Sequence, residues 1–186
     1  MKTFIILGMH RSATSLIARS LHGECYLGSD DFFIPPAFDN PKGFFEDRRV
    51  VLLNDELLKM AGGAWDNPPS KESILELKGK PLFDSTVDEY IKGTIMTLHK
   101  EADGKSVGIK DPRMCLLIDL WDQFIPNPQY IMTYRNPKDI VKSLEKRSET
   151  IPPIKSSEEW MQLTKEITER ANNFIQNKFT YNLEND

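Results

Sequence analysis

The sequence has few cysteines, no long apolar run and no excess of basic residues. Its two cysteines, Cys25 and Cys115, are far apart and match no metal-ligand spacing, which predicts reduced thiols rather than a disulfide or a zinc site. The apolar run near the start stops at Gly8, which makes it too short for a signal peptide. No run approaches the length of a membrane span. We therefore expect a cytoplasmic protein without a membrane span.

A net positive charge and internal repetition are also missing. The formal net charge is −4, so the chain offers no broad basic face for nonspecific binding, and we expect no nucleic-acid partner. An anion site must then be local and built from a few placed residues. The 186 residues contain no repeat and no low-complexity tract, and they fit a single domain over 1–186 with a sizeable core.

What the sequence does contain is an anion-binding pattern close to its start. Phe4 to Leu7 is apolar at every position, as in a strand buried inside a parallel sheet, and an apolar helical face follows after a loop. Such a loop turns backbone N–H groups toward the helix axis, where the helix dipole also favours negative charge. This loop therefore predicts a phosphate or sulfate site, with a positive charge and hydroxyl donors supplied by Arg11, Ser12, Thr14 and Ser15.

The same stretch differs from a Walker A loop, G-x-x-x-x-G-K-[ST], in the residues that handle ATP. Gly8 and Ser15 keep the Walker spacing, but Ala13 replaces the second glycine and Thr14 replaces the lysine. The cation lies three positions earlier instead, at Arg11. This pattern argues against ordinary ATP or GTP chemistry but retains an anion cradle. A plain strand-to-helix turn with an exposed arginine is the alternative.

The rest of the chain alternates predicted strands with predicted helices. Further strands are expected at 105–109, 129–134 and 178–183, and the longest amphipathic helices at 84–102 and 158–177. This order predicts an α/β fold with a mainly parallel central sheet. Because ligands bind at the carboxyl ends of parallel strands, we expect the charged loops after Leu7, Ile109 and Tyr134 to share one rim.

Basic residues follow the second and third of these strands. Arg135 and Ser143 could both reach one phosphate, although Arg135 could equally pair with Asp139. Lys110 could act on a transferring group with Asp111 orienting it, or Asp111 could simply form an ion pair with the nearby Arg113. No acidic cluster follows a strand in the Walker B manner, so we expect no metal.

Four segments taken together resemble the bacterial branch of the PAPS-dependent sulfotransferases. They are GMHRSATS at 8–15, GFFED at 43–47, GIKDPR at 108–113 and YRNPKDIVKSL at 134–144, and their order and spacing match as well. The resemblance implies a P-loop-like three-layer fold, with helices flanking the parallel sheet. It also implies transfer of a sulfuryl group from PAPS to a hydroxyl or amine, with release of PAP.

The resemblance also implies roles for individual residues. The loop from His10 to Ser15 corresponds to the family's binder of the donor's 5′-phosphosulfate, with Ala13 where the family usually has glycine. Arg135 and Ser143 correspond to its pair for the 3′-phosphate. Lys110 corresponds to a lysine that stabilises the transferring or departing oxygens, and Arg11 would assist it.

The sequence offers several candidates for the general base, because Asp111 and Pro112, rather than a histidine, follow Lys110. Glu46 lies after an aromatic pair, as does the glutamate of other branches, and is the favoured candidate; Asp111 is second, and His10 and His22 are weaker. Glu46 could instead be a carboxylate that interacts with a helix start.

Two departures from the family keep other functions open. Ala13 could crowd the loop, and the segment that usually covers the adenosine does not follow the last predicted strand. A noncatalytic module that binds PAP or a similar nucleotide is therefore one alternative. A P-loop nucleotide kinase is another, although Thr14 speaks against it. The acceptor could be a small molecule, a carbohydrate or a lipid, and the sequence is silent on oligomeric state.

Overall fold

A four-stranded parallel sheet organises the chain, in a computed structural model that describes residues 2–185. Its strands are β1 (Thr3–Leu7), β2 (Cys25–Tyr26), β3 (Ser106–Lys110) and β4 (Pro128–Met132), in the order β2-β3-β1-β4. Ile5 pairs with Ile109 on one side and with Tyr130 on the other, so β1 is bonded along both edges. This central position explains why every residue of the Phe4–Leu7 run is apolar.

Seven helices and one small hairpin surround the sheet within the described residues. The hairpin pairs Pro81–Leu82 with Ser85–Thr86. A short 3₁₀ turn, Asp122–Phe124, follows the fifth helix. The helices are α1 (Thr14–Leu21), α2 (Arg48–Met60), α3 (Lys71–Leu75), α4 (Val87–Glu101), α5 (Met114–Trp121), α6 (Pro137–Ser148) and α7 (Ser157–Asn185).

Helices cover both faces of the sheet. Ile5 and Leu7 on one face of β1 belong to a large core that includes α2 and α4 to α7. Ile6 points to the other face, where it packs with Ala18 of α1 and with Leu27. The alternation of a strand therefore divides one apolar run between two cores. The expected α/β architecture, a parallel sheet flanked by helices, is confirmed.

Local sequence signals explain where several helices begin. The Asp47 side chain accepts a hydrogen bond of 2.9 Å from the backbone N–H of Arg49, which makes it the N-cap of α2. Thr86 and Glu89 form a reciprocal capping box at the start of α4. Asn136 caps α6, with Pro137 in its first turn.

The predicted strand at 178–183 is wrong, because those residues continue α7. Its buried side chains recur at helical spacing, and this apolar stripe packs the helix into the large core: Trp160, Leu163, Ile167, Ala171 and Phe174. The sequence also gave no sign of β2, which is only two residues long. No helix in 2–185 is both long and apolar enough to cross a bilayer.

Candidate anion-binding site

A cavity of about 460 Å³ opens where β1, β3 and β4 end, because parallel strands deliver their carboxyl-terminal loops to one edge of the sheet. Five basic side chains and two carboxylates border it among the described residues. The basic residues are Arg11, Lys110, Arg113, Arg135 and Arg147, and the acidic residues are Asp39 and Glu46. This excess of positive charge suits a ligand with more than one anionic group.

The loop between β1 and α1 has a tightly packed and strained backbone. A Cβ atom at Gly8 would lie 1.9 Å from Thr133 Oγ1 and 2.7 Å from Ser12 Oγ, so this position needs glycine. Arg11 and Ala13 both adopt left-handed conformations, with φ of 68° and 69°. Ala13 thus has the backbone geometry that glycine adopts without cost. Non-glycine residues in such conformations are often held there at functional sites.

Most residues of this loop border the cavity as expected. His10, Arg11, Ala13, Thr14 and Ser15 all contribute to its lining. Ser12 is buried and does not border this cavity in the described structure; its Oγ lies 2.9 Å from Thr133 Oγ1.

Arg11 lies between α6 and a distant loop. Its Nε donates to Ser143 Oγ at 2.9 Å, and its two terminal nitrogens donate to the Asp39 carbonyl at 3.1 Å each. Its NH1 also lies 3.4 Å from Asp39 Oδ2. Burial lowers the pKa of Arg11; the Asp39 carboxylate opposes that shift, and the neighbouring Arg147 and Arg135 add to it. Arg11 therefore remains half-buried among other cations, with Asp39 as its acidic partner.

Arg135 supports the same loop from the end of β4. Its NH1 donates to the Arg11 carbonyl at 2.8 Å. No ion pair between Arg135 and Asp139 exists in the described part of the chain, so the structural alternative raised by the sequence is wrong. Ser143, expected to act beside Arg135, instead accepts its bond from Arg11, and it is not among the described residues that border the cavity. Arg11 thus contacts both residues that were predicted to bind the 3′-phosphate, Ser143 through its side chain and Arg135 through its carbonyl.

Lys110 and Glu46, which both border the cavity, form a buried ion pair. Lys110 Nζ donates to Glu46 Oε1 and also lies 3.3 Å from Ser15 Oγ at the start of α1. Burial raises the pKa of Glu46, and the positive charge of Lys110 opposes part of that rise. The favoured base candidate and the favoured catalytic lysine are therefore direct neighbours.

Asp111 lies behind the cavity wall and is fully buried. It accepts hydrogen bonds from Asn54 Nδ2 at 2.8 Å, from the Arg113 backbone N–H at 3.0 Å and from Arg113 NH1 at 2.9 Å. It is not among the described residues that border the cavity. The Asp111–Arg113 ion pair expected as the structural alternative is confirmed, and it leaves Asp111 poorly placed for a base.

His10 borders the cavity and packs against Trp65, with 4.1 Å between the ring centroids. Within 2–185, its buried Nε2 has no hydrogen-bond partner. Burial, followed by the charges of Arg113, Lys110, Arg147 and Arg11, holds the pKa of His10 well below its usual value. His10 thus lies close to four cations, which disfavour its protonated form. His22, by contrast, packs with Phe33 and Phe45 and does not border the cavity in the described structure.

Arg147, Asp39 and Asn40 are among the polar cavity residues that sequence reasoning missed. Arg147 lies one helical turn after Ser143, and that four-residue spacing could have placed both on the same face of α6. Asp39 is 3.1 Å from Arg147 Nε, and Asn40 Nδ2 is 3.3 Å from Ser15 Oγ. Asp39 and Asn40 belong to a long loop whose return to the cavity has no local sequence signal.

No metal-binding set is evident: 2–185 contain no group of three or more His, Cys, Asp or Glu side chains arranged to hold an ion. Both cysteines are buried and unbridged. Comparisons of the chain with protein-family models, with curated proteins and with solved structures find no match.

Proposed function

We propose that the protein is a PAPS-dependent sulfotransferase with a P-loop-like fold, which transfers a sulfuryl group to a hydroxyl or amine acceptor and releases PAP. One observation carries the proposal. Arg11, Lys110 and Arg135 come from three different strand ends, yet all three border one cavity. Separate strand ends supplying cations to one site favour a ligand with several anionic groups, and the missing lysine at position 14 disfavours ATP.

The charge of the cavity fits such a donor. Five cations against two carboxylates leave a positive excess along its walls. PAPS carries a 3′-phosphate and a separate 5′-phosphosulfate, so its anionic groups are spread over a comparable set of positions. In this proposal Arg135 binds the 3′-phosphate, and Ser143 holds Arg11 in place. Thr14, Ser15 and Lys110 bind the 5′ end, at the start of α1.

The reaction would be an in-line transfer, in which the donor supplies the activated sulfuryl group. The acceptor oxygen or nitrogen forms a bond to sulfur while the bond from sulfur to the PAP oxygen breaks. Lys110 and Arg11 stabilise the negative charge that develops on the departing oxygen and on the sulfuryl oxygens. Glu46 accepts the acceptor's proton; its raised pKa, caused mainly by burial, makes the carboxylate a stronger base.

Ligand binding tests the proposal directly. Thermal unfolding should be measured with PAP, AMP and ADP, without magnesium, and separately with magnesium and ATP. We expect PAP to raise the unfolding midpoint most, because it alone combines 3′- and 5′-phosphates. A magnesium-dependent preference for ATP would instead indicate a nucleotide kinase, and no response to PAP would overturn the proposal.

Glu46→Gln tests the proposed base. We expect turnover from PAPS to fall by about a hundredfold or more, because the amide cannot accept the proton, while PAP affinity is retained. Glu149→Gln, at the exposed end of α6, is the matched control and should retain full turnover. Full turnover in Glu46→Gln would remove Glu46 from this role and make His10, the other base candidate at the cavity, the next to test.

A noncatalytic PAP-binding module is the second candidate. It is favoured by the ion pairs of the two cations proposed for catalysis. Lys110 is paired with Glu46 and Arg11 with Asp39, so part of the charge that would stabilise a transferring group is already neutralised. Stabilisation by PAP without sulfuryl transfer to phenolic, carbohydrate or lipid hydroxyls would support this candidate over the enzyme.

A further inference from the structure

A smaller cavity of about 240 Å³ lies between α3, α5 and α7. Three charged side chains border it, one from each helix: Lys71, Asp119 and Arg170. Among the described residues, none borders both this smaller cavity and the larger cavity at the strand ends. The smaller cavity is therefore a separate place where a ligand can meet charged groups.

Arg170 has a buried nitrogen that contacts within the protein leave unsatisfied. Its NH2 donates to Glu166 Oε1 at 2.8 Å, one turn earlier on α7. Its NH1 is buried and has no hydrogen-bond partner within 2–185. A buried donor without an acceptor costs stability, and a charged donor costs more than a neutral one. An anionic group in the smaller cavity would supply the missing acceptor.

The charges that border the smaller cavity favour a ligand with one negative charge. Two cations, Lys71 and Arg170, face one carboxylate, that of Asp119. Lys71 Nζ lies 3.1 Å from each oxygen of that carboxylate, so these two charges largely neutralise each other. One positive charge remains at the lining. A dianion such as phosphate would carry a second charge without a partner, whereas a carboxylate carries one and matches a guanidinium in shape.

The uncharged part of the lining limits the size and nature of such a ligand. Cys115 and Leu116 are buried and supply apolar contacts. The Cys115 thiol accepts a hydrogen bond from the Gly8 N–H at 3.1 Å, and burial raises its pKa to about 12, so it is a wall and not a nucleophile. The exposed amides of Asn173 and Asn177 add neutral hydrogen-bonding groups. The volume lies below the about 300 to 1,000 Å³ of pockets for drug-sized ligands, which excludes a nucleotide.

We propose that the smaller cavity binds a small monocarboxylate with a short apolar chain. The carboxylate accepts a hydrogen bond from NH1 of Arg170, and the chain packs against Leu116 and Cys115. Asn173 and Asn177 hydrogen-bond to the second carboxylate oxygen or to a polar substituent. This inference is independent of the proposed function, because it needs no nucleotide and involves no residue of the larger cavity.

Butyrate and its neutral analogue butyramide test this assignment. Each should be titrated into the ¹⁵N-labelled protein at constant ionic strength, and binding followed residue by residue by NMR. We expect saturable shifts from butyrate at 115–119 and 170–177, and at least tenfold weaker binding of butyramide, because the amide lacks the negative charge. Equal binding of the two compounds, or shifts at these residues that do not saturate, would overturn the proposal.

Sulfate tests whether the site prefers one negative charge to two. We expect sulfate to bind at the same residues at least fivefold more weakly than butyrate, because the lining offers one unmatched positive charge. Since the shifts are assigned to residues, sulfate that binds in the larger cavity is scored separately. Tighter binding of sulfate than of butyrate at 115–119 and 170–177 would overturn the carboxylate assignment.

Two substitutions on α7 test the role of Arg170. Arg170→Gln removes the guanidinium and should weaken butyrate at least tenfold with butyramide binding unchanged. Asn173→Asp, at an exposed position, adds a negative charge at the lining and should weaken butyrate about fivefold without disturbing the fold. Wild-type affinity for butyrate in both variants would overturn the proposal. The control is Arg135→Ala, which should leave butyrate affinity unchanged; a loss there would assign butyrate to the larger cavity instead.

Discussion

Two arginines that border the cavity each pair with an aspartate, and the two ion pairs differ in burial and in the sequence separation of their partners. Arg113 pairs with Asp111, only two residues away, at 2.9 Å, and the Asp111 side chain is 0 % exposed. Arg11 pairs with Asp39, from a loop 28 residues further along the chain, at 3.4 Å, with its own side chain 26 % exposed. The first pair is local and enclosed, whereas the second joins distant segments at the cavity surface.

The partners of the two aspartates deepen the contrast. Asp111 is also bonded to Asn54 and to the backbone of Arg113, and Arg113 has a further partner in Asp55. Burial acts to lower the pKa of Arg113, but the carboxylates of Asp111 and Asp55 outweigh it and hold that pKa above its ordinary value. Asp39, in contrast, is shared between Arg11 and Arg147. We infer that the first pair maintains the fold and the second leaves positive charge available to a ligand.

Of the substitutions that test this comparison, Asp111→Asn should cause the largest loss of stability. It leaves Arg113 without its buried partner and disrupts the bond from Asn54, so we expect the free energy of unfolding to fall by about 3 kcal/mol. Urea unfolding would measure the change. Asp55→Asn, which removes the more exposed partner of Arg113, should cost under about 1 kcal/mol and is the control. Equal losses in the two variants would show that enclosure does not distinguish these carboxylates.

Arg135→Ala should have the largest effect on ligand binding. The variant loses a cation at the cavity and the bond to the Arg11 carbonyl, so we expect PAP affinity to fall by about thirtyfold, or about 2 kcal/mol. Calorimetry would measure this change. Lys142→Ala on the exposed part of α6 is the control for a general loss of charge and should change affinity less than twofold. An unchanged affinity in Arg135→Ala would remove that arginine from the site.

Asp39→Asn tests whether the second pair is open to competition. The Asp39 carboxylate repels an incoming anion and occupies Arg11 and Arg147, which would otherwise be available to bind that anion. Removal of its charge should therefore raise PAP affinity about fivefold, or about 1 kcal/mol. The free energy of unfolding should fall by no more than about 1 kcal/mol, as for other partly exposed pairs. Asp66→Asn is the control, because that carboxylate pairs with Lys155, at 3.9 Å, rather than with Arg11 or Arg147. It should leave PAP affinity unchanged. A fall in PAP affinity would instead make Asp39 a residue that positions Arg11.

The same contrast separates what the sequence could predict from what it could not. The parallel sheet follows from apolar runs such as Phe4–Leu7, and placement of Arg11, Lys110 and Arg135 on one rim follows from strand direction. The Asp111–Arg113 pair is local and was anticipated. The Arg11–Asp39 pair depends on how a long loop returns to the cavity, which no short-range pattern encodes.

The error at the end of the chain has a different cause. Phe179, Thr180 and Tyr181 are residue types that favour strands, so they suggested a strand after the helix. The apolar stripe of α7, which reaches Phe174, anchors the helix on the core, and the helix continues through these residues. Tertiary packing of the stripe therefore overrode the propensity of the last few residues.

Ala13→Gly should have the smallest effect of these substitutions, and it tests the backbone strain of the loop that carries Arg11. Ala13 has φ of 69° and ψ of 17° at the start of α1, where a Cβ atom is unfavourable. Glycine removes that cost but adds freedom to the unfolded chain, so we expect a net gain of about 0.5 kcal/mol in the free energy of unfolding. Ala37→Gly, in the loop before Asp39 and outside the left-handed set, should lose stability under the same urea unfolding. A loss in Ala13→Gly as well would mean that contacts of the alanine methyl outweigh the strain, and that the loop tolerates its left-handed backbone without glycine.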